Sequence, residues 1–169
     1  MYKIELAKAS DAKEMLNYLK SVGSETDFLL FGNEGVDLTL EQEAQFLDSM
    51  NQTTHSRMYI AKDASKIVAT AHIQGKTKIR TRHKAVIGIS VLKDYWGQGI
   101  GSILMKKLID FAKSNNHIEI IYLEVISTNT RAINLYKKFG FITYATDGSS
   151  TKVGNQYFDN LLMRLDLYK

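Results

Sequence analysis

The sequence contains no cysteine, which excludes disulfides, thiolate nucleophiles and zinc–thiolate centres in one step. Proline is absent as well, and no physical reason for that is visible in the sequence. No apolar run approaches the ~18 residues of a membrane span. The N-terminus, Met1-Tyr2-Lys3-Ile4-Glu5-Leu6, lacks the apolar core of a signal peptide. The expectation is a soluble, cytoplasmic protein with no membrane partner. His72, His83 and His117 fall at no metal-ligand spacing, so no metal is expected. Lysine and arginine are missing from one stretch, Ser21 to Thr54, which carries seven acids: Glu25, Asp27, Glu34, Asp37, Glu41, Glu43 and Asp48. The other 11 acidic residues face all 22 basic ones elsewhere, although the net charge is only +4. An asymmetry of this kind can separate two binding surfaces, or mark a solvated acidic face beside an ordinary basic one.

What is present fits one domain, 1–169, since a chain of 169 residues can bury roughly 70% of its unfolded surface without a staple. Tyr2, Ile4 and Leu6 alternate with polar residues as in a half-buried strand. Ser10-Asp11, with Glu14 three residues on, caps a helix to about Val22. Gly23 to Asp37 is irregular and holds Phe28-Leu29-Leu30-Phe31, an apolar quartet that either folds over a site or plugs the core. Thr39 and Gln42 form a capping box for a helix to about Met50. Met58–Ala61, Ile67–Ile73 and Ala85–Val91 read as an antiparallel meander, with Lys76 to Lys84 as a basic hairpin tip. Ile100, Ile103, Leu104, Leu108 and Phe111 then recur at helical spacing. A strand over Ile118–Val125 follows, then a helix over Thr128–Phe139 closed by Gly140. Phe141–Tyr144 and Gln156–Leu167 read as two strands around a turn at Gly148-Ser149-Ser150. The order β-α-α-β-β-β-α-β-α-β-β argues for an α/β (α+β) fold: a mixed, mostly antiparallel sheet of about seven strands with helices on both faces.

The meander ends at Val91-Leu92-Lys93-Asp94-Tyr95-Trp96-Gly97-Gln98-Gly99-Ile100-Gly101-Ser102. Three alternating glycines can bend the backbone and let another group approach it. The free N–H groups of the helix start behind them favour an anion, with a diphosphate as natural occupant. Dinucleotide folds and phosphate loops also use glycine turns, but the first places them in a parallel βαβ unit with an acid about 20 residues on. The second needs Gly-Lys-Ser/Thr, which is lacking here.

Combined with Leu123-Glu124-Val125-Ile126-Ser127-Thr128-Asn129-Thr130-Arg131-Ala132-Ile133-Asn134-Leu135-Tyr136-Lys137-Lys138-Phe139-Gly140-Phe141, the loop resembles the GNAT superfamily of N-acetyltransferases. The resemblance is densest from Ala85 to Phe141, and Tyr157 to Met163 looks like that superfamily's last strand. The family's loop reads Arg/Gln-x-x-Gly-x-Gly/Ala; Gly99 and Gly101 match, while Trp96 stands at the Arg/Gln position. Trp96 either packs on the cofactor or anchors the helix.

The resemblance implies acetyl-CoA as co-substrate, lying where the strand ending at Val91 splays from the one ending near Val125. The backbone at Val91, Leu92 and Lys93 would hold the pantetheine arm, and the amides of Gly97, Gln98, Gly99, Ile100, Gly101 and Ser102 the diphosphate. Asn129 and Asn134 match positions near the cofactor, although Asn129 also reads as an ordinary helix cap. Tyr136 matches the general acid that protonates the departing thiolate, and a phenol of pKa ~10 suits that task; it also reads as a core aromatic. For the general base, Glu124, His83 and an ordered water remain open. Strand alternation puts Glu124 beside Ile120 and Tyr122, where burial would raise its pKa.

The first two helices and their connection wall the acceptor site in this superfamily. Asp27, Phe28, Phe31 and Glu34 are therefore the acceptor candidates, and an acidic wall would steer a cationic amine: a polyamine, an aminoglycoside-like amine, or the N-terminus or lysine of a basic polypeptide. The alternative is a non-catalytic acyl-CoA-binding regulatory module. The Lys76–Lys84 tip offers charge without aromatics, so no nucleic-acid partner is expected. Superfamily members often dimerise, and the sequence leaves monomer and homodimer open.

Overall fold

Alternating apolar residues set the strands, and their pairing makes one sheet. The computed structural model of the chain describes residues 2–168. Strand β1 (Tyr2–Leu6) leads through a short 3-10 turn (Ala9–Asp11) into helix α1 (Ala12–Ser24), followed by α2 (Leu40–Gln52). The meander β2 (Ser56–Asp63), β3 (Lys66–Gly75) and β4 (Lys84–Val91) comes next, then α3 (Ile100–Ser114), β5 (Ile120–Ile126) and α4 (Thr130–Lys138). Strands β6 (Ile142–Val153) and β7 (Gln156–Asp166) close the chain. The seven strands lie in the order β1-β2-β3-β4-β5-β7-β6. Every neighbouring pair is antiparallel except β4 with β5. The mixed, mostly antiparallel seven-stranded sheet expected from the sequence is thus the one observed.

Helix α3 buries Ile100, Leu104, Met105, Leu108 and Ala112, one stripe at helical spacing laid on β3 and β4. Helix α1 buries Met15, Tyr18 and Val22 and lies over β3. The Tyr18 hydroxyl shares a hydrogen bond of 2.8 Å with Ser90 Oγ, which in turn lies 3.1 Å from Thr70 Oγ1. Burial pushes the Tyr18 phenol well above its ordinary value, so it stays neutral and locks α1 onto β4 one residue before the strand ends.

Two sequence expectations change. The closing hairpin does not turn at Gly148-Ser149-Ser150: β6 runs on to Val153, and the turn falls at Gly154, whose φ is +58°. The earlier glycine and serines instead form an irregularity where the register shifts between Asp147 and Thr151. Ser149 adopts φ 56° there, and its N–H donates to Asp159 Oδ1 at 2.9 Å. A bulge uses the same residue types as a turn. Helix α1 also starts differently: Asp11 accepts from the Lys8 N–H at 2.9 Å instead of pairing with Glu14 as a cap.

At the middle of the sheet His72 pairs with Gly88 across β3 and β4, and a Cβ on Gly88 would fall 2.4 Å from His72 Cε1. The imidazole therefore lies across the glycine. Burial holds its pKa below the usual value. A group whose folded pKa is depressed contributes stability above its unfolded pKa of about 6.5 and loses it as pH falls toward the folded value. Urea melts should accordingly show stability declining below about pH 6.5, and His72→Gln should flatten that decline. An equal slope in the variant would contradict this account.

Candidate active site

Strands β4 and β5 run side by side only where they begin. The parallel pairs are Lys84 with Ile120, Ala85 with Ile121 and Val86 with Tyr122. Beyond them β4 stays bonded to β3 through Val91, and β5 to β7 through Ile126. The two facing edges open into a wedge whose backbone groups no longer serve each other. Such an edge can accept an extended amide-bearing ligand as a further strand.

At the mouth of the wedge the Leu92 N–H donates to Val68 O of β3 at 2.9 Å. Alternation therefore turns the Val91 carbonyl and the Lys93 N–H toward the wedge. Both are engaged by side chains. Trp96 Nε1 donates to Val91 O at 2.8 Å, and Glu25 Oε2 accepts from the Lys93 N–H at 2.7 Å.

The glycine loop follows a 3-10 turn at Lys93–Tyr95. Gly97 and Gly99 take φ of 76° and 81°, the left-handed region that L side chains avoid. A Cβ on either would meet nothing within 4 Å, so the bend faces open space. Gly101 serves another purpose. It is helical, and its missing Cβ lets Leu135 Cδ2 of α4 come within 3.3 Å of where that atom would be. The first intrahelical bond of α3 runs from Ile103 N–H to Gly99 O at 3.1 Å, which leaves the first-turn amides of Ile100, Gly101 and Ser102 as outward donors. The loop is braced by Tyr95 OH on Asp63 Oδ2 at 2.9 Å and by Gln98 Nε2 on Asp94 O at 3.1 Å. Trp96 anchors it further, and the Arg131 guanidinium stacks 4.2 Å from its ring centroid. Open glycines, orphan amides and a neighbouring guanidinium fit a cofactor diphosphate.

Helix α4 reaches the same region. Asn129 is its N-cap, Oδ1 accepting from Ala132 N–H at 3.2 Å. Asn134 is exposed one turn beyond Arg131, on the face that carries the guanidinium to the loop. Tyr136 is buried, with its ring centroid 5.9 Å from that of Phe141. Burial pushes its phenol up to about 12, with no hydrogen bond contributing. A phenol of that kind holds its proton at neutral pH.

The model of the acetyltransferase (GNAT) family matches residues 26–141. This chain belongs to that family. A GNAT-family acetyltransferase from Streptococcus pneumoniae is 28% identical, superposes with a TM-score of 0.94, and covers 99% of each chain. A Salmonella typhimurium structure with its cofactor acetyl-CoA shares the fold at 17% identity and a TM-score of 0.83, covering 98% of this chain and 94% of that one. An N-alpha-acetyltransferase from Sulfurisphaera tokodaii is 45% identical over 56 residues, 33% of this chain and 34% of that protein. The chain thus spans about a third of that curated relative's length.

At the inner end of the wedge the structure departs from the sequence reading in one respect. Glu124 is exposed, not sheltered by Ile120 and Tyr122. It shares a cleft of about 260 Å³ with Lys76, Lys84, Val86, Tyr122 and Tyr144. The reason is the layering: α1 lies over β3 and α2 over β2, so the alternation that would bury Glu124 turns it into open space. It sits two residues past the last β4–β5 pair, at the inner end of the wedge. His83 precedes the first residue of β4, at the opposite end of the strand from Val91. The apolar quartet divides: Leu29 and Phe31 pack on the core, whereas Phe28 and Leu30 are 40% and 92% exposed. A Cβ on Gly23 would fall 2.0 Å from Gly32 O, which shows how tightly the acidic segment folds back on α1. Glu34 accepts from the Gly32 N–H at 2.8 Å, and that bond lowers its pKa; Asp27 is exposed. Among the described residues no group of His, Asp or Glu is placed to hold a metal ion, and no helix is long and apolar enough to cross a membrane.

Arg131 went unassigned by sequence reasoning, as did Lys76, Lys84 and Tyr144, and Glu25 was read only as one acid of the wall. Arg131 carried a local signal, a cation in the first turn of the helix beside the loop. Glu25 carried none, because its partner is 68 residues away.

Proposed function

We propose that the chain, acting as one domain over residues 1–169, is an N-acetyltransferase that moves the acetyl group of acetyl-CoA to a primary amine by direct attack. The observation that carries this reading is the β4–β5 wedge ending at the glycine cradle before α3. Acetyl-CoA supplies an acetyl group activated as a thioester. The amides of Gln98 to Ser102 bind its diphosphate, the backbone of Val91 to Lys93 its pantetheine arm, and Asn129 and Asn134 stand on the opposite wall. Tyr136 gives its phenolic proton to the departing sulfur. Glu124, or a water it orders, takes the proton that the ammonium must lose before the nitrogen can attack.

The acceptor is a cationic amine: a polyamine, an aminoglycoside-like amine, or an amino group of a basic polypeptide. The acidic segment from Glu25 to Asp37, which reaches the wedge mouth through the Glu25–Lys93 bond and folds back on α1 at Gly23 and Gly32, supports this choice. Release of free CoA should be measured against polyamines, aminoglycosides, amino acids and short basic peptides. Neutralising Asp27, Glu34 and Asp37 together should lower kcat/KM for cationic amines roughly three- to tenfold, with the loss shrinking as salt is raised. Unchanged kcat/KM would remove the acidic wall from the account.

A further inference from the structure

The Lys93 amide stands at the mouth of the wedge and is held by a side chain from another part of the fold. Glu25 is the first residue past α1, and its Oε2 lies 2.7 Å from Lys93 N. Its position is set from behind: Tyr18, two turns earlier on the same helix, is bonded to Ser90 of β4 at 2.8 Å. That anchor fixes both how far α1 slides along β4 and where the helix ends. The carboxylate thus meets the amide through a braced arrangement and not through a freely moving loop.

The two engaged groups at the wedge mouth are not equivalent. A carbonyl oxygen has two lone pairs, so Val91 O can keep the Trp96 indole and accept a second donor. A backbone N–H has one hydrogen, and a carboxylate is its strongest ordinary acceptor. Whatever carbonyl binds Lys93 must therefore displace Glu25.

We infer that Glu25 is an acceptor-binding residue that acetyl-CoA releases: it occupies the Lys93 N–H in the free protein, and the cofactor's amide carbonyl takes its place. The freed carboxylate then stands at the wedge mouth, between α1 and β4, where it receives the cationic amine. The inference rests on the acetyltransferase reading above. It implies an order of binding, because the acceptor's anionic partner is tied to the backbone until the cofactor arrives. It also sets two properties of one residue against each other: Glu25 weakens cofactor binding and strengthens amine binding.

Calorimetric titration with CoA, which needs no turnover, separates the outcomes. Glu25→Ala removes both the bond and the charge. Glu25→Asp keeps the charge but, one methylene shorter, loses the reach. Both variants should bind CoA about five- to tenfold more tightly than wild type, and Glu25→Ala should in addition raise KM for a polyamine about tenfold. Glu25→Asp should raise that KM less. A merely structural role for Glu25 would weaken CoA binding or leave it unchanged. If Glu25→Asp binds CoA as wild type does, or if only charge-removing variants bind more tightly, displacement is wrong and the effect is general repulsion of an anion. Wild type that fails to bind CoA at all would overturn the acetyltransferase reading itself; wild type that binds CoA, with variants of equal affinity, would overturn this inference alone.

Discussion

Tyr136→Phe should lower kcat by about 10²- to 10³-fold, the range of a lost general acid, while CoA affinity stays within about twofold of wild type. The expectation follows from the role proposed for Tyr136 and from how its ring is packed. Its ring is buried against Phe141, so phenylalanine fills the same space. Burial alone raises the phenol to about 12, with no partner among the described residues that the substitution would leave unsatisfied. The melting temperature should accordingly move little. The pH profile gives a second readout. A raised folded pKa keeps the acid form present through the whole range in which amines lose their protons. Wild-type kcat/KM should therefore rise through neutrality as the acceptor deprotonates and turn down only as pH approaches about 12. The variant should keep the rise and lack the downturn. A variant with wild-type kcat would make Tyr136 a core aromatic with a polar tip, and the leaving sulfur would then need another proton source.

What was legible beforehand was local. The capping box at the start of α2 is visible as Thr39 and Gln42, and the structure has both reciprocal bonds, at 3.2 and 2.9 Å. Gly140 closes α4 with φ +91°, as a glycine just past a helix predicts. Alternation located the meander, and the meander placed the glycine loop after antiparallel strands, which separated it from dinucleotide folds. The misses are of another kind. Gly148-Ser149-Ser150 and Gly154 carry the same turn chemistry, and only the cross-strand register decides which bends the chain and which bulges. The alternation around Glu124 was read correctly, but alternation says which residues share a face and not whether a helix covers it. Trp96 presented two readings until the Val91 carbonyl and the Arg131 guanidinium were placed beside it. Glu25 could be counted as an acid, yet its meeting with Lys93 depends on how α1 is seated on β4. Donor-side chemistry is written in backbone geometry that glycines announce. Acceptor-side chemistry is written in side chains brought from distant elements.

The same contrast makes the glycine loop the place for a large effect on binding. Gly99→Val should weaken CoA binding by about 30-fold or more and lower the melting temperature by several degrees. Gly99 caps α3 at φ 81° and ψ −4°, a conformation that costs an L-residue roughly 1–2 kcal/mol, and more when it is β-branched. For a domain of this size 1 kcal/mol corresponds to about 2–4 °C. The added Cβ would meet no protein atom within 4 Å. It would instead project into the open space beside the amides of Ile100 to Ser102, the proposed diphosphate site. Strain thus accounts for the thermal loss, and obstruction for most of the lost affinity. Gly101→Ala is the control that separates this cradle from glycine content in general. Gly101 is helical, so alanine adds no strain and gains up to about 1 kcal/mol of helix propensity. Its Cβ would stand 3.3 Å from Leu135 Cδ2, a contact that a small shift of a flexible side chain relieves. CoA affinity should stay within about threefold of wild type in that variant. If Gly101→Ala lost binding as Gly99→Val does, the spacing of α3 against α4 would govern the site more than the left-handed bend, and the cradle would have to be sought in that helix contact.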